Sequence, residues 1–264
     1  MPLVAPIARL RGKVPVVLLA ALGLVAAALA FGGFLDGQSA EDRPRVGLFT
    51  SLPIYWGETA EMADLLSAEG EPHWVRSELE REYQLQPLDI LGEGEGRNSL
   101  DGLSYLLLAQ PRALSPVENV ALDGWVRKGG RLLLFADPML TEESHFPLGD
   151  RRRPQDVVLV SPILTHWGLR LEFDENQPAG RRVETLFGDA VPVDQAGRLS
   201  LLADGSTDRP RCTIVGNGLV GECGVGKGQV LIVADAALLD GDATDETKHA
   251  PVLMRLAGRA FGID

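Results

Sequence analysis

The stretch SYLLLAQPRALSPVENVALDGWVRKGGRLLLFADP, residues 104 to 138, constrains the fold more than any other part of the chain. Two unbroken apolar runs, YLLLA and LLLFA, flank a segment of helical period. Strands covered on both faces read as continuous apolar runs, because neither side meets water. The middle segment predicts a helix from its first residues. Ser115 can cap it, Pro116 suits the first helical position and Glu118 completes a Ser-x-x-Glu capping box. Val117, Val120, Ala121, Gly124 and Trp125 fall on one stripe, and Gly129-Gly130 ends the run. Apolar strand, amphipathic helix, apolar strand is the unit of a parallel sheet with helices on its faces.

The pattern extends in both directions. RVGLFTSLP opens a strand at Arg45, and GKGQVLIVADA, 226 to 236, forms another that ends in an aspartate. GETAEMADLLSAEG places Met62, Leu65 and Leu66 at helical spacing and stops at Gly70. HWVRSELEREYQLQPLD fits neither template. From about 141 to 222 the character changes: SPILTHWG predicts a short helix, while LRLEF, RRVETLF and RLSLLA predict strands, together a β-rich insertion. ETKHAPVLMRLAGRAFG closes the chain as a helix in which Pro251 is tolerated only near the first turn. The expected fold class is α/β, built on a parallel sheet.

Residues 14 to 35, VPVVLLAALGLVAAALAFGGFL, carry no charge, and about 20 apolar helical residues cross a bilayer. Arg9, Arg11 and Lys13 precede them, which keeps residues 1–13 cytoplasmic and makes 14–35 a single-pass transmembrane anchor in the inner membrane. A polar linker, 36–44, then leads to a periplasmic domain over 45–264. The alternative is a cleaved signal peptide with Ala28-Leu29-Ala30 as its small-residue site, although cleaved apolar regions usually run to only about 7–15 residues. The formal net charge of -12 repels phosphate backbones, so nucleic acid is not among the expected partners.

Two cysteines occur, in RCTIVGNGLVGEC. Asn217-Gly218 is the dipeptide that two-residue hairpins favour, because both positions need positive φ. A turn there sets Cys212 opposite Cys223, at a separation that a disulfide tolerates. Two small buried thiols on paired strands are the other reading. No metal site is expected, since the pair lacks the further ligands zinc requires and His73, His145, His166 and His249 are scattered. No cofactor is expected either. GECGVGKGQ resembles a phosphate loop in composition only, because it precedes a strand instead of following one.

In open parallel sheets ligands bind beyond the carboxyl ends of the strands. Asp137 and Asp235 each follow an apolar run and could serve there as acid and base, or could cap the next segment through its main-chain N–H groups. The same rim should hold Gln110 and the loop after the first strand, with Thr50, Ser51, Tyr55, Trp56 and Glu58. Exposed aromatics on such a loop suit a binding surface, and equally could tuck onto the sheet end. No Gly-x-Ser-x-Gly elbow is present, and neither cysteine sits on a strand-to-helix turn.

SLDGLSYLLLAQPRALSPVENVALDGWVRKGGRLLLFADPML (99–140), LTHWGLRLEFD (164–174) and GKGQVLIVADAALLDG together resemble the periplasmic domain of GldG-like proteins, the auxiliary components of gliding-motility-type ABC transporters. The resemblance implies a flavodoxin-like, class I glutamine-amidotransferase-like domain without amidotransferase chemistry. It implies a non-catalytic accessory protein of an ABC-type export system, partnered by transporter membrane subunits or other envelope proteins. The chain departs from the family pattern in reaching Asp264 without a C-terminal span. A periplasmic hydrolase using Asp137 and Asp235, or a solute- or glycan-binding sensor, are the alternatives.

Overall fold

The computed structural model of the chain describes residues 42–57, 72–93, 98–203, 210–240 and 246–263. The expected anchor at 14–35 and residues 58–70 of the helix expected after the first strand lie outside them. The chain divides into units Met1–Arg43 and Pro44–Asp264, and all the described strands and helices belong to the second. Among the described residues no helix is long and apolar enough to cross a membrane.

The apolar runs pair side by side. Strand β1 (Arg45–Thr50) lies between β2 (Gln84–Pro87) and β3 (Tyr105–Ala109), β3 pairs with β4 (Arg131–Phe135), and β4 with β11 (Gly228–Val233), all in parallel. Beyond β11 the direction reverses through β10 (Val220–Val225) and β9 (Arg211–Val215), which complete a seven-stranded sheet. The result is a mixed α/β fold with a mostly parallel central sheet.

Side chains alternate across the sheet, so each face carries its own core. Leu48, Leu107, Leu133, Phe135, Leu231 and Val233 pack with α1 (Trp74–Glu82) and α4 (Glu246–Phe261). Phe49, Leu106, Leu108, Leu132, Leu134 and Ile232 pack with α2 (Pro116–Arg127) and α3 (Ser161–His166) on the other side. Each such side chain, fully buried, contributes about 1.5–3 kcal/mol. The stretch that matched neither template in sequence is α1 followed at once by β2. His73 caps α1, its Nδ1 accepting the Val75 N–H at 3.2 Å.

Helix α2 begins with the expected capping box: Ser115 Oγ accepts from Glu118 N and Glu118 Oε2 from Ser115 N. Its buried stripe differs from the expected one. Glu118, Leu122, Trp125 and Val126 face the core, whereas Val117 and Val120 face solvent, Val120 being 74% exposed. Two polar contacts set this rotation. Glu118 is held inside by the Leu91 N–H and the Arg112 guanidinium, and Trp125 Nε1 donates to Leu103 O at 2.9 Å. Gly228, at the start of β11, lies so close to the end of α2 that a Cβ would stand 2.1 Å from Val126 O.

Between β4 and β9 the chain forms two small antiparallel sheets, β5 (Leu169–Glu172) with β8 (Arg198–Leu201) and β6 (Arg182–Leu186) with β7 (Asp189–Val193). In the β9–β10 hairpin Val215 faces Val220 and Cys212 faces Cys223, which are joined by a disulfide. Asn217 and Gly218 take φ of 54° and 99°, the left-handed values that the turn requires. Pro251 sits inside α4 rather than in its first turn, so that helix lacks one main-chain donor there.

Candidate functional site

The parallel strands end in register. Thr50 is aligned with Ala109, Ala109 with Phe135, and Phe135 with Val233, so the residues just after them form one rim. Thr50, Ser51, Gln110, Asp137 and Asp235 all lie on it. Each of these five side chains has main-chain partners.

Gln110 acts as the clamp of the rim. It is fully buried and adopts φ of 44°, an uncommon value for a residue other than glycine. Its N–H donates to Phe135 O, and its carbonyl accepts both the N–H and the hydroxyl of Ser51. Its side chain then imitates a neighbouring strand. Oε1 accepts the Asp137 N–H at 2.9 Å, and Nε2 donates to the carbonyls of Asp137 (3.0 Å) and Gln155 (2.7 Å).

Asp137 and Asp235 are almost wholly buried. Asp137 Oδ1 accepts the Met139 N–H at 2.8 Å, and Oδ2 accepts the Ala236 N–H at 3.1 Å, tying the end of β4 to the end of β11. Asp235 Oδ1 accepts the Ala237 N–H at 2.7 Å, and Oδ2 the Asp194 N–H at 2.9 Å. Burial pushes Asp137 up to about 7, against the pull of its two N–H donors and with the charges of Asp240 and Asp194 adding to the rise. Burial, and next the charge of Asp137, raise Asp235 well above the usual carboxylate range. Asp240 itself pairs with Arg181.

The hydroxyls are similarly committed. Thr50 Oγ1 donates to Ala109 O at 2.7 Å and accepts from Leu52 N at 2.9 Å. Ser51 Oγ donates to Gln110 O at 2.6 Å and accepts from Gln155 N at 3.0 Å. A serine whose proton points at a carbonyl has no base to activate it. Among the described residues both cysteines are in the disulfide, and no group of three or more His, Cys, Asp and Glu side chains could hold a metal ion.

The partners of Ser51 and Gln110 reveal a feature missed in sequence, where the residues from about 141 onward read as the start of an insertion. Residues 138–157 fold back over the rim. Leu140 N donates to Asp156 O, Val158 N donates to Asp137 O, and Gln155 is gripped by Ser51 and Gln110. The crevice beyond the strand ends is therefore roofed by the chain itself. Pro147, Gly149 and Pro154 were the signal available, since such residues mark a loop with defined turns.

The aromatic part of the rim stays open. Arg76 of α1 stacks on Tyr55 at 4.2 Å and donates to Tyr55 O, and Trp56 meets the Tyr55 ring edge to face while remaining 68% exposed. Tyr55 is half-buried, and Glu58 lies outside the described residues.

No curated protein matches the chain. Among solved structures it is similar to the exo-β-1,4-mannosidase Op5Man5 from Opitutaceae bacterium strain TAV5, at TM-score 0.48 and 15% identity, over 82% of this chain and 36% of that one. It therefore spans about a third of the mannosidase's length. It is similar to cytoplasmic protein STM3548 from Salmonella typhimurium at TM-score 0.45 and 9% identity, covering 80% of this chain and 97% of that one. For a ThuA-like protein from Parabacteroides merdae ATCC 43184 the values are 0.38 and 12%, over 83% and 90%. The family model described as ABC-type uncharacterized transport system matches residues 43–178, just over half of the chain, from β1 through the roofing loop to β5. With that match over the strand ends and their roof, the chain belongs to the family of ABC-type transport system auxiliary proteins.

Proposed function

We propose that this protein is a non-catalytic, membrane-anchored accessory component of an ABC-type export system, acting by protein binding on the periplasmic side. The observation that carries the reading is the state of the two rim acids. Each is buried and accepts two main-chain N–H groups, Asp137 tying the end of β4 to the end of β11 and Asp235 tying the end of β11 to the residue after β7, so both hold backbone instead of facing a substrate. An acid–base pair must reach the atoms whose protons it moves. Membership of the auxiliary family supplies the transporter context. The GldG-like resemblance, the amidotransferase-like fold and the single-pass anchor at 14–35 belong to the same reading. The Cys212–Cys223 disulfide is of the kind that persists in oxidising compartments, which agrees with a periplasmic domain.

The test is purification of the full chain from detergent-solubilised native membranes, with identification of co-purifying subunits. An ABC permease and its ATPase are expected at near-stoichiometric amounts. The soluble domain is also assayed against amide and glycoside panels, beside Asp137→Asn and Asp235→Asn. Turnover that disappears in both variants would end the accessory reading.

A further inference from the structure

The segment that roofs the rim carries, at its tip, the most exposed large apolar side chain among the described residues. Leu148 is 82% exposed. We propose that the tip Pro147–Arg153 is a preformed docking element that inserts Leu148 into an apolar pocket of a partner protein and sets Arg151 against a carboxylate at that pocket's edge. The proposal rests on the accessory reading and names the surface and chemistry through which it works.

The tip is built to hold Leu148 outward. Asp150 N donates to Pro147 O and Arg153 N to Asp150 O, so two successive turns fold PLGDRRR back on itself. Gly149, third residue of the first turn, has the φ of 86° that a left-handed turn position needs. Arg152 lies over the Phe146 ring at 4.1 Å and pairs with Asp150, whose Oδ1 also accepts the Arg152 N–H. Arg153 donates to Phe146 O at 3.1 Å and pairs with Asp156. Phe146 is buried beneath this frame while Leu148, two residues on, projects from it. A fixed apolar projection loses little conformational freedom on binding, which distinguishes an anchor from a chance exposed leucine.

Charge selects the kind of partner. Arg152 and Arg153 have carboxylates of their own, and Arg151 is exposed with no ion pair among the described residues. The tip thus offers one apolar plug and one unmatched guanidinium, which fit a protein pocket edged by Asp or Glu. An anionic bilayer fits less well. Asp150 and Asp156 already neutralise Arg152 and Arg153, exposed Glu143 opposes the headgroups, and a single apolar insertion without a second anchoring signal holds a bilayer only marginally.

A benzophenone amino acid placed at position 148 of the full chain, in its native membranes, tests this by photo-crosslinking, with the same probe at exposed Val120 as control. The expected result is a product with a transporter subunit, mapped to a peptide containing Asp or Glu, absent from the Val120 probe and reduced at least tenfold by Arg151→Glu. A product of the same character with another envelope protein would uphold the tip and remove the transporter reading. Products with lipid alone, no product, or a product indifferent to Arg151→Glu would overturn the tip. Co-purification of permease and ATPase from the same cells would then show that the accessory reading survives. Leu148 and Arg151 are exposed, so an unchanged melting temperature checks that the fold is intact.

Discussion

Asp137 and Glu118 are both buried carboxylates with main-chain donors, yet they link folding to pH in opposite directions. Burial raises Asp137 to about 7 from its ordinary 3.8, so the folded state binds more protons than the unfolded one between those values, and stability falls as pH rises through that window. Asp235, also raised, adds to the same limb. For Glu118 burial acts upward too, but the Arg112 side chain and the N–H groups of Ser115 and Leu91 hold it at about 2. Its contribution is complete above its ordinary 4.5 and is lost as pH falls toward 2. Stability should therefore peak where these limbs overlap, near pH 4, with His73, which burial lowers from 6.5 to about 4, partly opposing the rise due to the two acids between those values. Melting measured from pH 7.5 down to 5 should rise by at least about 2 °C, the shift that 1 kcal/mol produces in a domain of this size. It should fall again below pH 4, and Asp137→Asn should shrink the rise. That Asp137 and Asp235 end strands was legible in the sequence. That they bind their neighbours' N–H groups was one of two open readings, because the donors come from Met139, Ala236, Ala237 and Asp194, whose positions depend on the loops.

At the scale of elements, the most readable ones had their signals within a few residues. The capping box of α2 and the Asn217-Gly218 turn are local chemistry, and both are present where the sequence placed them. The buried face of α2 was not readable in the same way. Its rotation depends on Arg112, Leu91 and Leu103, so a glutamate is buried and Val120 is left in water. The roof over the rim was hidden for a similar reason, since its hold on Gln110 and Ser51 spans 45 and 104 residues. The hairpin of β9 and β10 supports a further expectation. β9 ends the sheet, and the disulfide fastens it across an 11-residue separation. Closing a loop of that size restrains the unfolded chain by about 2–3 kcal/mol. Denaturation of Cys212→Ser/Cys223→Ser should show a loss of that order, with the extra hydrogen exchange concentrated in β9 and little change at β1 or β3.

For the whole molecule, strand order matters more than strand content. β11 pairs with β4 on one side and β10 on the other, so a segment from near the end of the sequence occupies an interior place in the sheet. The family match stops at residue 178, before any of β9, β10 or β11, and so covers a piece whose sheet is incomplete. A chain ending at Gln177 should therefore be recovered as aggregate, while one spanning 44–264 stays monodisperse by size-exclusion chromatography. The sequence showed the parallel sheet through its apolar runs, but it carried no mark of which run lies beside which.

This arrangement sets a schedule for biosynthesis. When the ribosome has finished Arg131–Phe135, the open flank of that strand must wait for Gly228–Val233, a delay of about 5–20 s at ordinary elongation rates. Until then a run of three leucines and a phenylalanine presents bare amides and carbonyls to whatever is nearby. Cells making this protein should depend on a holding chaperone over that interval, and a stall just upstream of Gly228 should be more harmful than one at Phe261.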